Sequence, residues 1–219
     1  MSLRLAVLVS GEGSNLQALI DTVHGEGVAE IVGVASSNPD ARGLRRARAA
    51  GLETAVFAAA DYPDRDDRDD AMAAWLESRD VGLVVLAGFM EILGGRFVAQ
   101  FAGRIVNVHP SLLPAFPGVR AIEQALDHGV PVMGVTVHFV DEGVDSGPIV
   151  LQEAFDAVPY ARDIEAVERR VHEIEHRLLP RAVRLIAEGR VRIDPASARR
   201  VIVEEPGAGG REEETDGDH

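Results

Sequence analysis

Short aliphatic runs alternate with segments of helical periodicity through the first hundred residues, and this alternation narrows the possible folds more than any other feature. The runs at 5–9, 30–36, 54–57 and 83–87 are aliphatic or β-branched and end at turn residues. Between them, 15–23, 41–50 and 71–78 repeat apolar side chains at three- and four-residue spacing, which puts one buried face on a helix. Strand followed by helix, repeated, predicts a parallel sheet joined by right-handed crossovers, with helices on both faces. The unbroken run Val84-Val85-Leu86 suits a strand covered on both sides. The expectation is a Rossmann-like α/β fold.

After residue 104 the rhythm changes. A strand at 105–109 leads into a proline-rich loop at 110–117, a helix at 121–128 and a long strand at 132–140. Residues 148–155 read as its partner across the loop 141–147, an antiparallel addition to the sheet. The longest helical stretch, 163–188, is closed by Gly189. Its apolar positions Ile164, Val167, Val171, Ile174, Leu178 and Val183 keep helical spacing, with a break expected at Pro180. From 204 to 219 there are seven acids, one Arg and no apolar residue except Ala208. That composition predicts a disordered acidic tail after a single domain spanning 1–203.

Composition removes several classes of function. The 22 basic and 36 acidic residues leave a formal charge of −14, so nucleic acid and anionic membranes are repelled. Cysteine is absent, which excludes disulfides, thiolate nucleophiles and thiolate-held zinc. Lysine is absent too, which excludes Schiff-base chemistry and a phosphate-loop lysine. No cleavable leader and no apolar span of roughly 18 residues is visible, so the expected location is the cytoplasm.

Three segments carry chemistry. Ser10-Gly11-Glu12-Gly13-Ser14-Asn15 follows the first strand and opens the first helix, where glycines admit a ligand and free N–H groups face an anion. Leu16 occupies the third glycine position of a dinucleotide fingerprint, so that motif is not complete. The plainer alternative is a tight turn with a serine cap. Asn107 and His109, two apart on a strand, project to one face at its carboxyl end, as an oxyanion-stabilising pair would. Ser111 nearby has no nucleophile-elbow motif around it. The loop after the long strand holds Asp141 and Asp145, either of which would hold His109 cationic if folded back onto it. His138 on the preceding strand is a secondary candidate, as core or lining. Arg65 and Arg68, set among Asp61, Asp64, Asp66, Asp67, Asp69 and Asp70, read as a solvated, self-neutralised helix start.

Four segments together resemble one family. They are Val7-Leu8-Val9-Ser10-Gly11-Glu12-Gly13-Ser14-Asn15-Leu16-Gln17-Ala18, Val85-Leu86-Ala87-Gly88-Phe89-Met90, Asn107-Val108-His109-Pro110-Ser111-Leu112-Leu113-Pro114, and 137–148 with Asp141 and Asp145. In this order and spacing they resemble the folate-dependent formyltransferases, in the phosphoribosylglycinamide formyltransferase branch, over residues 3 to 192. The resemblance implies the formyltransferase fold and a catalytic set of Asn107, His109 and Asp145. It also implies a phosphate-holding turn at Gly13, Ser14 and Asn15, and ribonucleotide contacts from His172, Glu173, Ile174 and Glu175. Folate contacts fall on Arg65, on Met90, Glu91, Ile92 and Leu93, and on Asp141, Glu142, Gly143 and Val144. Glu91 and Arg120 depart from the Arg and His of some relatives, which leaves a backbone contact at Glu91.

By this resemblance the reaction is formyl transfer from 10-formyltetrahydrofolate to the amine of glycinamide ribonucleotide in de novo purine biosynthesis. It involves no metal, no nucleic acid and no membrane, and it admits a homodimer. Methionyl-tRNA formyltransferases share the catalytic residues but add a carboxyl-terminal domain and bind a polyanion. Formyltetrahydrofolate hydrolases share them but usually carry an amino-terminal regulatory domain. The chain's acidity and the position of its motifs favour the ribonucleotide branch over both. A non-catalytic nucleotide-binding module would use the glycine turn alone and leave Asn107, His109 and Asp145 without a purpose.

Overall fold

The computed structural model describes residues 2–160 and 163–204, so the acidic tail, apart from Glu204, lies outside the described residues. The elements in chain order are β1 (Leu3–Val9), α1 (Ser14–Thr22), β2 (Ala29–Ser36), α2 (Arg42–Ala49), β3 (Thr54–Val56), α3 (Arg65–Glu77), β4 (Leu83–Leu86) and α4 (Gly95–Gln100). There follow β5 (Ile105–His109), α5 (Ala121–His128), β6 (Val132–Phe139), β7 (Ile149–Asp156), α6 (Ile164–Ala187), β8 (Val191–Ile193) and β9 (Val201–Val203). Seven strands form one sheet in the order β3-β2-β1-β4-β5-β6-β7. The strands β1 to β5 pair in parallel, and β6 and β7 join antiparallel. The expected architecture is therefore present.

Side chains alternate across each strand and feed two cores. Leu5, Val7 and Val9 of β1 join Leu16 and Leu19 of α1, Leu44 of α2 and Ile174 and Leu178 of α6. Ala6 and Leu8 point the other way, to Met72 and Leu76 of α3, Phe97 of α4 and Phe101 just after it. All five residues from Leu5 to Val9 are fully buried, as a central strand covered on both faces requires. The chain turns to β2 and β3 on one side of β1, then returns to β4 on the other. The loops after β1 and β4 therefore part, and a crevice opens at the carboxyl ends of these strands.

Several boundaries differ from the sequence reading. Helix α3 begins at Arg65 and not at 71, because the Asp64 carboxylate accepts the Asp67 N–H at 3.0 Å and caps it. Asp66 and Asp67 in the first turn also favour the positive end of the helix dipole. Helix α4 was not anticipated, since six residues are too few to display a period; Phe97 and Val98 fix its buried face. Helix α6 runs unbroken through Pro180 for 24 residues. The proline forfeits one backbone bond, at about 3 kcal/mol in a helix interior. Burial of Leu178, Leu179, Ala182 and Val183 on either side of it opposes that loss. The short pair β8 and β9 gave no sequence signal either.

Ile174 is fully buried where α6 meets the core. Ile174→Ala should destabilise the protein by about 2–5 kcal/mol through lost burial and a residual cavity. The expected record is a lower urea midpoint with an unchanged m-value.

Candidate active site

Strand β5 ends at the crevice with Asn107 and His109 on one face. Antiparallel pairing sets Asn107 opposite His138 and His109 opposite Thr136, so His138 joins the pair across the strands. Asp145 comes back from the loop between β6 and β7 and becomes the centre of the group. Its Oδ2 lies 3.3 Å from His109 Nδ1 and accepts the Gly118 N–H at 2.7 Å. Its Oδ1 lies 3.5 Å from His138 Nε2 and accepts from Asn107 Nδ2 at 3.3 Å. His138 was a secondary candidate in the sequence; the fold makes it a full member of the cluster.

The electrostatics follow from these contacts. Burial alone would raise the Asp145 pKa. The His138 contact, the Gly118 N–H and the charges of both histidines outweigh burial and hold it below the ordinary carboxylate value. Asp145 also adopts φ +50°, a left-handed conformation that Asp tolerates better than most residues. His109 Nε2 donates to Phe116 O at 2.9 Å. Both ring nitrogens of His109 thus face acceptors, and a ring protonated on both satisfies them. His138 Nδ1 donates to Phe139 O at 2.8 Å, and its Nε2 lies 3.2 Å from Asn107 Nδ2. Ser111 Oγ instead donates to Ala115 O at 2.6 Å, away from His109, so it does not form a Ser-His dyad.

From this cluster a cavity of about 450 Å³ opens toward the surface. One wall is the loop after β4, with Met90, Glu91, Ile92 and Leu93; the opposite wall holds Asp141, Glu142, Gly143 and Val144. Met90, Ile92, Val119 and Val144 are exposed apolar residues of its lining, a rim suited to a flat, partly apolar ligand. Asp141 Oδ1 accepts from Gly143 N at 3.1 Å and Ser146 Oγ at 2.7 Å, so the acidic loop is folded on itself. Arg65 is not part of the lining; it is exposed at the start of α3, with Nε 3.8 Å from Asp66. The expectation of a wholly solvated acidic run there fails at its end. Arg68 and Asp69 are 3% and 2% exposed, because their charges pair with each other and with the loop after β4.

A second region lies at the end of β1. Gly13 sits in the left-handed region at φ +71° and caps α1 through backbone alone, so the serine-cap reading does not hold. The first intrahelical bond runs from Gln17 N to Gly13 O, leaving the first-turn N–H groups without helical partners. A Cβ on Gly13 would lie 2.5 Å from Gly43 Cα. Packing between the first turn and α2 therefore requires glycine whatever the turn binds. Asn15 is buried, and its Nδ2 donates to Glu175 Oε2 at 2.9 Å across 160 residues of sequence. Burial raises the Glu175 pKa, against the Asn15 hydrogen bond and the charge of His172. Asn15 Oδ1 is buried without a hydrogen-bond partner among the described residues.

The helix divides the candidate stretch 172–175, because successive residues turn by about 100°. Glu175 reaches Asn15, and His172 stacks on His176 with ring centroids 6.0 Å apart. Glu173 is exposed and pairs with Arg170 at 2.8 Å, and the Ile174 side chain is in the core. The two regions are joined by Ser10, whose N–H donates to Gly88 O at 3.1 Å and whose Oγ accepts from Met90 N at 2.9 Å. Among the described residues no group of three or more His, Asp or Glu side chains is arranged to hold a metal ion, and no helix is long and apolar enough to cross a membrane.

A mostly parallel sheet with antiparallel strands at one edge, carrying an Asn-His-Asp cluster at the carboxyl end of β5, defines the class of α/β protein in hand. The formyl transferase family matches residues 3–183, and the chain belongs to that family. It is 44% identical over 191 residues to the phosphoribosylglycinamide formyltransferase of Haemophilus influenzae, covering 87% of this chain and 90% of that protein. The structure of glycinamide ribonucleotide transformylase 1 from Symbiobacterium toebii superposes with a TM-score of 0.87 at 46% identity, over 93% of this chain and 95% of that one. The trifunctional purine biosynthetic protein adenosine-3 of Drosophila pseudoobscura pseudoobscura is 46% identical over 192 residues, 86% of this chain. This chain spans only 14% of that longer protein.

Glu175 is an acid that folding makes harder to ionise, so its charged form costs stability above the unfolded carboxylate range and nothing below it. Glu175→Gln keeps an acceptor for Asn15 and removes the buried charge. Its melting temperature should exceed the parent's at pH 7, with the gain vanishing near pH 4. Thermal melts across that range check the sign.

Proposed function

We propose that this chain transfers a formyl group from 10-formyltetrahydrofolate to the amine of glycinamide ribonucleotide in de novo purine biosynthesis. One observation carries the reading. The Asn107-His109-Asp145 cluster stands at the inner end of an apolar-rimmed cavity, and the loop walling that cavity is sewn through Ser10 to an open helix N-terminus backed by a buried acid. The apolar rim of the cavity supports a folate there, and the free N–H groups of the helix N-terminus support a phosphorylated amine at the turn. The relatives that match along most of their length bear the corresponding names.

In this mechanism the ribonucleotide amine attacks the N10-formyl carbon. A carbon–nitrogen bond forms and negative charge develops on the formyl oxygen. Asn107 and His109 donate to that oxygen, and Asp145 balances the imidazolium. Collapse returns the electron pair to the carbonyl and breaks the bond to N10. Asp145, through water, carries the amine proton toward the leaving nitrogen. Phe116 O holds His109 Nε2 in this structure, and Asp145 takes an Asn107 N–H. The formyl oxygen therefore replaces these acceptors when substrate binds, and Phe116 O has to withdraw from His109. The residues around that carbonyl include Phe116 and Arg120 at positive φ, a conformation held by its surroundings.

His109→Ala and Asp145→Ala should each lower kcat by at least about 10²-fold with folding intact, since each removes charge stabilisation in the transition state. Near-normal turnover in either variant would take that residue out of the mechanism. Steady-state assays with both substrates, against formyl-folate alone, also separate transfer from hydrolysis.

The phosphate assignment needs a variant that spares the fold, which Gly13 cannot provide. A Cβ on Gly11 meets nothing within 4 Å among the described residues. Gly11→Val should raise the ribonucleotide KM about tenfold or more by crowding the turn, with the melting temperature and the folate KM unchanged. Inorganic phosphate should compete with the ribonucleotide and not with the folate. Equal effects on both substrates would remove the phosphate from this turn.

A further inference from the structure

We infer that Arg68 is a positioning residue for the cavity, holding the 88–94 loop in shape through Asp69 and Glu91. The inference rests on reading that cavity as the folate site. Arg68 lies on the first turns of α3 and is 3% exposed. Its guanidinium donates twice to Asp69 Oδ1, at 2.8 and 3.1 Å, and once to Glu91 Oε2 at 3.1 Å. The second oxygen of Asp69 accepts the Gly94 N–H at 2.6 Å. One buried cation therefore orients two carboxylates, and each of these fixes a different point of the same loop.

The loop has no helix or strand of its own between β4 and α4. Its near end is tied by Ser10 to Gly88 and Met90. The Arg68 network ties its far end at Glu91 and Gly94. Between these ties Met90 and Ile92, 74% and 64% exposed, stand at the cavity. Phe89 and Leu93 pack on the core beneath the loop, whereas the exposed stretch between them has little to hold its shape except the polar anchors.

Arg68 does not line the cavity, whereas Glu91 does. The Glu91 side chain is 41% exposed, so the network reaches from the interior to the ligand wall. Apolar residues in place of the whole Arg68–Asp69 pair could support stability equally well, but they could not hold Glu91 and the Gly94 N–H at set points. Lysine could not replace it either, because an ammonium lacks the planar fork that serves both acids. This network also accounts for the acid at position 91, which is the natural partner of a buried arginine.

The test uses the full chain with Arg68→Met, Arg68→Lys and Glu91→Gln. Hydrogen exchange of the 88–94 amides is read without ligand; tetrahydrofolate binding and the ribonucleotide KM are read beside it. Positioning predicts faster exchange confined to 88–94 and folate binding weakened about tenfold in all three variants, as a displaced binding wall would give. The ribonucleotide KM should stay within about twofold. Unchanged exchange at 88–94 would overturn the inference. So would equal weakening of both ligands together with a lower melting temperature, the pattern of a merely structural role. If Arg68→Met does not fold, Glu91→Gln decides, because it leaves the Arg68–Asp69 pair intact. Faster loop exchange in a protein whose parent form does not bind tetrahydrofolate would uphold the positioning and overturn the folate reading instead.

Discussion

The Asp145 carboxylate is the contact on which the proposed catalytic end of the molecule depends. It collects an amide N–H from Gly118, a side-chain N–H from Asn107 and both histidine rings, so it ties β5, β6 and the loop after β5 to one point. An acid with this little solvent persists as an anion only because its neighbours donate to it or carry positive charge. The same requirement explains the backbone around it. Asp145 sits at φ +50°, and Gly147 must be glycine because a Cβ there would run into Phe139 O. The loop is shaped to deliver a carboxylate, and the strain is carried by hydrogen bonds made elsewhere in it.

A different balance governs the ribonucleotide side. The chain is strongly acidic, yet the proposed substrate carries a phosphate. The local field differs from the net charge: the open end of α1 has no acid in its first turn, and arginines of α2 lean on the turn beside it. Arg46 Nε donates to Glu12 O at 2.8 Å, and Arg42 pairs with Glu12 at 2.9 Å. Glu175, buried against Asn15, is then the costly member of the region. A buried acid that stability disfavours, held by an amide from the proposed phosphate turn, is the pattern expected where binding outweighs stability.

Much of this was legible in the sequence, and the reasons are physical. Strand-helix alternation is a local pattern, and local periodicity determines which faces are buried; the parallel sheet, its antiparallel edge and the long last helix follow from it. Asn107 and His109 were legible for the same reason, because two residues apart on a strand share a face whatever the rest of the chain does. Six-residue α4 and the three-residue strands β8 and β9 were not, since elements that short are decided by what packs on them.

What the sequence could not determine was which charges meet. The run from Asp61 to Asp70 reads as uniformly solvated, yet Arg68 and Asp69 are buried, because their partners Glu91 and Gly94 arrive from 23 and 25 residues further along. Pro180 reads as a break, yet the helix continues, because burial on either side of it opposes the lost hydrogen bond. The sequence by itself determined the fold class, the glycine turn at the end of the first strand and the residue types of the proposed catalytic cluster. Tertiary structure alone decided that His138 joins Asp145, that Asn15 meets Glu175, and that Ile174 faces the core. Periodicity is carried by neighbours in the chain, whereas a charge or a hydrogen bond is settled by neighbours in space.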